Sequence, residues 1–164
     1  MKKSTDLQPH LAALSGLLSA GGRLRPAIHA ILEDHFNRSG DLATAADGLS
    51  AMLEDPEPYL REYAAKLLAQ WFVRKKNIDG LRSLLRREKD ESLYSTAGVL
   101  REKRFDLTPL LPDLVAIADH PKSCVRESVS TTLVAFSKKS PETVLKALGS
   151  TKAAAEIRTK IEKG

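Results

Sequence analysis

The sequence predicts an all-α fold, a right-handed α-solenoid of about five antiparallel helix pairs, each 32–33 residues long. Three observations support this prediction. Aromatic residues make up only 5% of the 164 residues, while Ala and Leu are abundant, and this composition favours helix over strand. Apolar residues recur at helical spacing in most of the chain. Related segments also return at a nearly constant period, which indicates stacked repeats.

The repeat is clearest in two segments, residues 55–64 and residues 120–129. Each has a Pro in the turn, then an aliphatic residue, then Arg-Glu, and a small apolar residue three places after the Arg. The aliphatic positions, called the anchors below, recur at intervals of 32 or 33 residues: Ile28, Leu60, Leu93, Val125 and Ile157. Five positions with one period indicate five structural units.

Each anchor is expected to begin a helix, the second of its pair, with one buried face. The stripe after Leu60 is the most regular, with apolar residues at the i, i+4, i+7, i+8 and i+11 positions typical of a core-facing helix. Small residues recur at equivalent places in three of these helices, at Ala65, Gly98 and Ser130. We expect them to let neighbouring helices approach closely. His35, in the stripe that starts at Ile28, is expected to be a hydrogen-bonded core residue.

A first helix is predicted before each anchor helix. In chain order, the apolar stripes of these helices start at Leu7, Leu42, Ile78, Leu110 and Val144. Pro109 and Pro112 lie where a first helical turn tolerates proline. Gly, Pro and Asp separate the segments, as is typical of helix ends. The predicted repeats span approximately residues 5–38, 40–74, 77–104, 107–138 and 141–163, and together they form a single domain over residues 1–164.

The segment 55–65 resembles the entry of the second helix in HEAT repeats, a family of the HEAT/armadillo-like α-solenoids. The matching positions are Asp55, Leu60, Arg61, Ala64, Ala65 and Leu68, then Val125, Arg126 and Leu133, and finally Ile157 and Arg158. The resemblance, which covers roughly residues 22–164, implies that Asp55, Arg61, Arg126 and Arg158 tie one repeat to the next. Tyr94 replaces the Arg and His120 replaces the Asp of the pattern, so the ladder is expected to be interrupted there.

Composition and motifs favour a non-catalytic protein. The four histidines are scattered and no Gly-rich phosphate loop or zinc motif is present, so neither a cofactor nor a metal is expected. Cys124, the single cysteine, is expected to be a half-buried structural thiol and indicates a reducing compartment. No apolar run approaches the roughly 20 residues of a membrane span. We therefore expect a cytoplasmic protein, a monomer, that does not bind membranes.

The leading functional hypothesis is a scaffold or adaptor that binds a protein partner through the surface lined by the second helices. Six residues of these helices are expected to face outward and form that surface: Glu62, Lys66, Ser95, Val99, Glu127 and Thr131. A separate alternative is that the chain is one module of a longer array.

Nucleic-acid binding is the other hypothesis. The net charge is +5, and residues 74–104 carry ten basic against five acidic side chains. Arg82, Arg86 and Lys89 are expected near one face of a first helix, and the remaining basic candidates follow successive second helices: Lys75, Lys76, Lys103 and Arg104. Such a stripe suits sequence-tolerant contact with phosphates, because aromatic residues for base stacking are missing from it. A solvated helix surface explains the same charges.

Overall fold

A computed structural model describes residues 10–20, 25–102, 105–150 and 152–163, and all regular secondary structure within these ranges is helical. The helices are α1 (Leu11–Ala20), α2 (Arg25–Ser39), α3 (Ala46–Met52), α4 (Pro58–Lys75), α5 (Ile78–Leu85), α6 (Asp90–Glu102), α7 (Leu111–Ala116), α8 (Ser123–Ser137), α9 (Pro141–Ala147) and α10 (Lys152–Lys163). Short 3-10 turns, Ala43–Ala45 and Thr108–Leu110, lead into α3 and α7. The predicted all-α class is confirmed for these residues.

The even-numbered helices from α4 onward contact one another in succession: α4 packs on α6, α6 on α8, and α8 on α10. Among the odd-numbered helices, α1 contacts α3, α5 contacts α7, and α7 contacts α9. Helices adjacent in the chain also pack together, as in α3 with α4, α5 with α6, and α7 with α8. Most tertiary contacts of the described residues are therefore made between near neighbours in the order of helices.

One cluster of buried apolar side chains extends from Leu18 in α1 to Ile157 in α10. All five anchors belong to it, and they lie on α2, α4, α6, α8 and α10 in turn. Burial of one such aliphatic side chain contributes about 1.5–3 kcal/mol to stability. The period read from the sequence thus marks equivalent core positions on alternate helices.

Local hydrogen bonds explain where α4 and α5 begin and end. The carboxylate of Asp55 accepts a hydrogen bond of 2.9 Å from the backbone N–H of Glu57, just before α4. Lys76 ends α4 in the left-handed conformation, with a φ of 53°. The side chain of Asn77 then caps α5 by accepting a hydrogen bond of 2.9 Å from the backbone N–H of Gly80. A single left-handed residue followed at once by a capping side chain gives the abrupt turn between these helices.

Arg61 links α4 to α6. Its Nη1 donates to the carbonyl oxygens of Asp55 and Pro56, at 2.6 and 2.9 Å. Its Nε and Nη2 donate to the two carboxylate oxygens of Glu91, at 3.1 and 2.9 Å. These hydrogen bonds lower the pKa of Glu91 and raise that of Arg61. Arg61 therefore ties one predicted repeat to the next, as the HEAT resemblance implies.

The other expected ladder residues bond locally. Asp55 caps its own turn, and Arg126 donates from Nη1 to the carbonyl of His120 at 2.8 Å. Arg158 donates from Nη2 to the carbonyl of Leu148 at 2.6 Å. Each of these hydrogen bonds stays within one predicted repeat, so for these three residues the inter-repeat role is wrong. Arg61 makes the same local hydrogen bonds to the preceding turn as Arg126 does, and it reaches the next helix because the carboxylate of Glu91 lies beside it.

A cluster of rings joins α2 to α4. The His29 ring stacks on Tyr63 with centroids 3.5 Å apart, and its Nδ1 lies 2.8 Å from the Tyr59 hydroxyl. Burial raises the pKa of Tyr63 above its ordinary value. The core histidine of α2 is therefore His29. His35 is only half-buried, and its Nε2 has no hydrogen-bond partner among the described residues, which corrects the expectation for that residue.

Candidate partner-binding groove

A surface depression of about 540 Å³, called the groove below, lies over the middle of α6 between α4 and α8. Its lining comes from these three helices: Glu62, Lys66, Tyr94, Ser95, Gly98, Val99, Arg101, Glu102, Cys124, Glu127, Ser128 and Thr131. Because helices α4, α6 and α8 are each the second of a predicted pair, the groove lies on the surface that the sequence singled out.

All six residues predicted for partner binding line this groove. Glu62 and Lys66 of α4 are exposed, as are Glu127 and Thr131 of α8. The two residues of α6 are not: Ser95 is 7% exposed and Val99 is 3% exposed. Their expected outward orientation is therefore corrected. Helix α6 packs against both α4 and α8, so its outer strip is recessed and forms the floor of the groove.

Gly98 also lies in the groove, and its surroundings contradict the expected role in close helix packing. A Cβ added at Gly98 would meet no side chain or neighbouring backbone within 4 Å. Ala65, at the equivalent place in α4, is fully buried as expected of a packing residue. Since glycine in a helix interior costs stability, Gly98 lowers the stability of α6 without a packing gain. It leaves the helix backbone open to the groove.

Hydrogen bonds hold the walls of the groove together. The Ser128 hydroxyl of α8 donates to the backbone carbonyl of Tyr94 in α6, at 3.1 Å. The Thr131 hydroxyl donates to the carbonyl of Glu127, one turn earlier in its own helix, at 2.6 Å. The carboxylates of Glu62 and Glu127 form no ion pair with any residue that the structure describes, and they stand on opposite sides of α6. The groove therefore presents charges that are not neutralised within the described chain.

Six of the twelve lining residues were not predicted for this surface, and Tyr94 and Cys124 are the two that depart most from what the sequence led us to expect. Tyr94, at the place of the missing ladder arginine, is 45% exposed and offers a large ring with a polar hydroxyl. Its departure from the HEAT pattern was the available signal. Cys124 is exposed rather than half-buried, because it lies one residue before the buried anchor Val125 and is therefore rotated about 100° away from it around the axis of α8. The expected structural burial of this thiol is therefore wrong.

Four of the basic residues named in the nucleic-acid hypothesis form ion pairs with acidic side chains. Arg82 and Arg86 each donate from Nε to the buried carboxylate of Asp113 in α7, at 3.1 and 2.7 Å. The ammonium group of Lys75 lies 3.6 Å from Asp41, and that of Lys89 lies 4.0 Å from a carboxylate oxygen of Glu54. Lys76 is exposed without an ion pair in the described residues, and Lys103 and Arg104 lie outside those residues.

The predicted single face of Arg82, Arg86 and Lys89 is also corrected, because α5 ends at Leu85 and only Arg82 lies within it. Arg86 directly follows the helix, and Lys89 belongs to the connection to α6. Asp113, which draws both arginines together, was missed by sequence reasoning. Nothing in the sequence pattern distinguished it, because Asp113 lies between the apolar positions of the predicted stripe that starts at Leu110.

Within the described ranges, no three His, Cys, Asp or Glu side chains are arranged to hold a metal ion. In the same ranges no helix combines the length and the apolar character needed to cross a membrane.

Comparisons with known proteins add no relatives to this picture. A scan against models of protein families found no match, and neither curated proteins nor solved structures gave a significant one. The groove therefore has to be interpreted from its own geometry.

Proposed function

We propose that the chain is a right-handed α-solenoid of HEAT-like helix pairs that serves as a non-catalytic scaffold and binds a protein partner in the groove. One observation carries this proposal. Residues selected at equivalent positions of three helices, two and six places after the anchors, line a single open depression of about 540 Å³. Alternating helix contacts, α4 to α6 to α8 to α10, support the stacked architecture on which the proposal depends.

The composition of the groove suits a protein ligand. Protein interfaces combine a central apolar or aromatic contact with a polar rim. Here the exposed ring of Tyr94 supplies the aromatic surface, the nearly buried Val99 lies at the floor, and the charges around them come from Glu62, Lys66 and Glu127. Since these charges have no ion-pair partner in the described chain, a protein segment of complementary charge would gain from meeting them.

Partner binding in the groove can be tested with a variant at Gly98 that fills the groove. Gly98→Trp places a large side chain in the groove, where an added Cβ meets no neighbour within 4 Å. Gly16→Trp in α1 is the matched control, because a Cβ added at that exposed helical glycine also meets nothing within 4 Å. Immobilised wild type and both variants would be exposed to lysate of the source organism, and retained proteins would be compared by mass spectrometry. Each candidate partner would then be purified and titrated by calorimetry.

We expect a partner that binds the wild type and Gly16→Trp with equal affinity and whose binding is lost with Gly98→Trp. Circular dichroism of the three proteins would show whether each variant keeps the helical fold. If folded Gly98→Trp binds every purified partner as tightly as the wild type does, the groove is not the binding surface.

A further inference from the structure

A second, smaller cavity adjoins the groove at the ends of α6 and α8. Its volume is about 270 Å³, and Leu100, Leu107 and Phe136 form its buried apolar wall. The backbone N–H of Phe105 donates a hydrogen bond to the carbonyl of Leu100 at 3.4 Å, and Phe105 also lines the cavity. An engineered cavity of about 150 Å³ accommodates benzene, so this one accommodates a single leucine or phenylalanine side chain.

The rim of this cavity is cationic. Arg101, Lys138 and Lys139 line it, all three are exposed, and none forms an ion pair with a described residue. None of the described lining residues is acidic. The carboxylate of Asp106, which follows Phe105, already accepts hydrogen bonds from the backbone N–H and the hydroxyl of Thr108, at 3.0 and 2.8 Å. Three positively charged side chains thus line an apolar cavity, and none of them has an ion-pair partner in the described chain.

Arg101 connects the two sites, because it lines both the cavity and the groove. The two sites are therefore neighbours on the surface and share the Arg101 side chain as a common wall. The cavity offers little surface for base stacking, since the Phe136 ring is only 9% exposed and Phe105, the other aromatic residue of the described lining, is half-buried. An aliphatic or aromatic side chain inserted end-on, with carboxylates beside it, fits both the volume and the charge.

We propose that this cavity binds an acidic peptide segment of the partner protein, with one large apolar side chain in the cavity and flanking carboxylates on Arg101, Lys138 and Lys139. This inference rests on the proposed function, because it assigns a chemical class to the partner of the groove. The apolar anchor supplies affinity through burial, and the carboxylates supply selectivity and faster association.

The test starts from a random peptide library displayed on phage and selected on the full chain. We expect the selected peptides to carry Asp or Glu beside one Leu, Met or Phe. Fluorescence anisotropy of the labelled peptides would then compare the wild type with the double variant Lys138→Glu, Lys139→Glu. Lys146→Glu, Lys163→Glu is the control, because it reverses two exposed lysines of α9 and α10 and gives the same change in net charge.

The cavity variant is expected to raise the Kd about tenfold at low salt, which corresponds to about 1.4 kcal/mol for two reversed charges, and the control to change it less than about twofold. If the cavity variant does not fold, Arg101→Gln replaces it. Enrichment of peptides without acidic residues, or an unchanged Kd in the cavity variant, overturns the inference. A single-stranded oligonucleotide that binds more tightly and depends on the same lysines also overturns it.

The two proposals fail separately. Peptide binding that Gly98→Trp abolishes and the cavity variant leaves unchanged would support the groove and reject the cavity. Binding that depends on Lys138 and Lys139 but not on Gly98 would support the cavity and reject the groove as the partner site. If the two lysines only offset the helix dipole at the end of α8, the cavity variant would lose thermal stability and keep its peptide affinity, which also rejects the inference.

Discussion

Replacing Gly98 by alanine separates two accounts of the groove, because they predict changes of stability with opposite signs. If Gly98 allowed α6 to pack closely on a neighbour, an added methyl group would overpack the interface and destabilise the protein by about 1–3 kcal/mol. In the structure, however, the position of that methyl group has no neighbour within 4 Å. The substitution then removes only the conformational cost of a glycine within α6.

That cost is about 0.5–1 kcal/mol for glycine relative to alanine in a helix interior. For a protein of 164 residues, a gain of this size raises the melting temperature by about 1–4 °C. Urea unfolding followed by circular dichroism gives the free energy, and a thermal scan gives the melting temperature. A lower free energy of unfolding in Gly98→Ala would refute the open geometry of the groove at this glycine.

Gly80 provides the matched control. It also lies in a helix, α5, but a Cβ added there would come within 2.8 Å of the Phe72 ring. Phe72 is half-buried and packs at a tilted angle against Trp71, with ring centroids 5.3 Å apart, so it cannot move aside freely. Gly80→Ala is therefore expected to destabilise by about 1–2 kcal/mol in the same assays. If Gly98→Ala and Gly80→Ala change the free energy of unfolding equally, the contacts around the added methyl group do not determine the effect of either substitution.

Three further substitutions test other parts of the structure. Thr96→Val is expected to raise the free energy of urea unfolding by about 1 kcal/mol, because the Thr96 hydroxyl is buried without a hydrogen-bond partner among the described residues; a loss would contradict this. Lys76→Gly is expected to raise the free energy of unfolding by about 0.5–1 kcal/mol, because glycine adopts the left-handed conformation of this position, with a φ of 53°, at a lower cost than lysine. An unchanged or lower melting temperature in a thermal scan would contradict this prediction. Glu91→Gln is expected to cost about 1–2 kcal/mol at about pH 7. Since Arg61 lowers the pKa of Glu91 in the folded state, this stabilisation is present above the unfolded-state value of about 4.3 and is lost as the pH falls through the lower folded value. Denaturation at about pH 7 and about pH 2 should therefore show the wild type and Glu91→Gln converging in acid, and a constant difference would be evidence against it.

The sequence alone predicted the equivalent core residues. The repeat of 32 or 33 residues identified the corresponding helices, and the helical spacing of apolar residues identified the buried face of each. All five anchors are buried on alternate helices for this reason. Tyr94 was also noticed as a departure from the pattern, although not as a residue of the candidate surface. The six candidate residues lie together in the groove because α4, α6 and α8 pack in succession and so place equivalent positions side by side.

Position relative to neighbouring helices was decided only by the tertiary structure. Ser95 and Val99 are recessed because α6 packs extensively against both α4 and α8. The same phase is exposed on α8, whose contact with α10 is less extensive, and on α4. Likewise, Gly98 and Gly80 look alike in the sequence, yet one faces open space and the other an aromatic ring. Ion pairs such as those of Asp113 with Arg82 and Arg86 join residues about 30 positions apart. A helical period describes one helix about its own axis, so distances between helices, and hence burial, clashes and charge pairing, depend on how those axes pack.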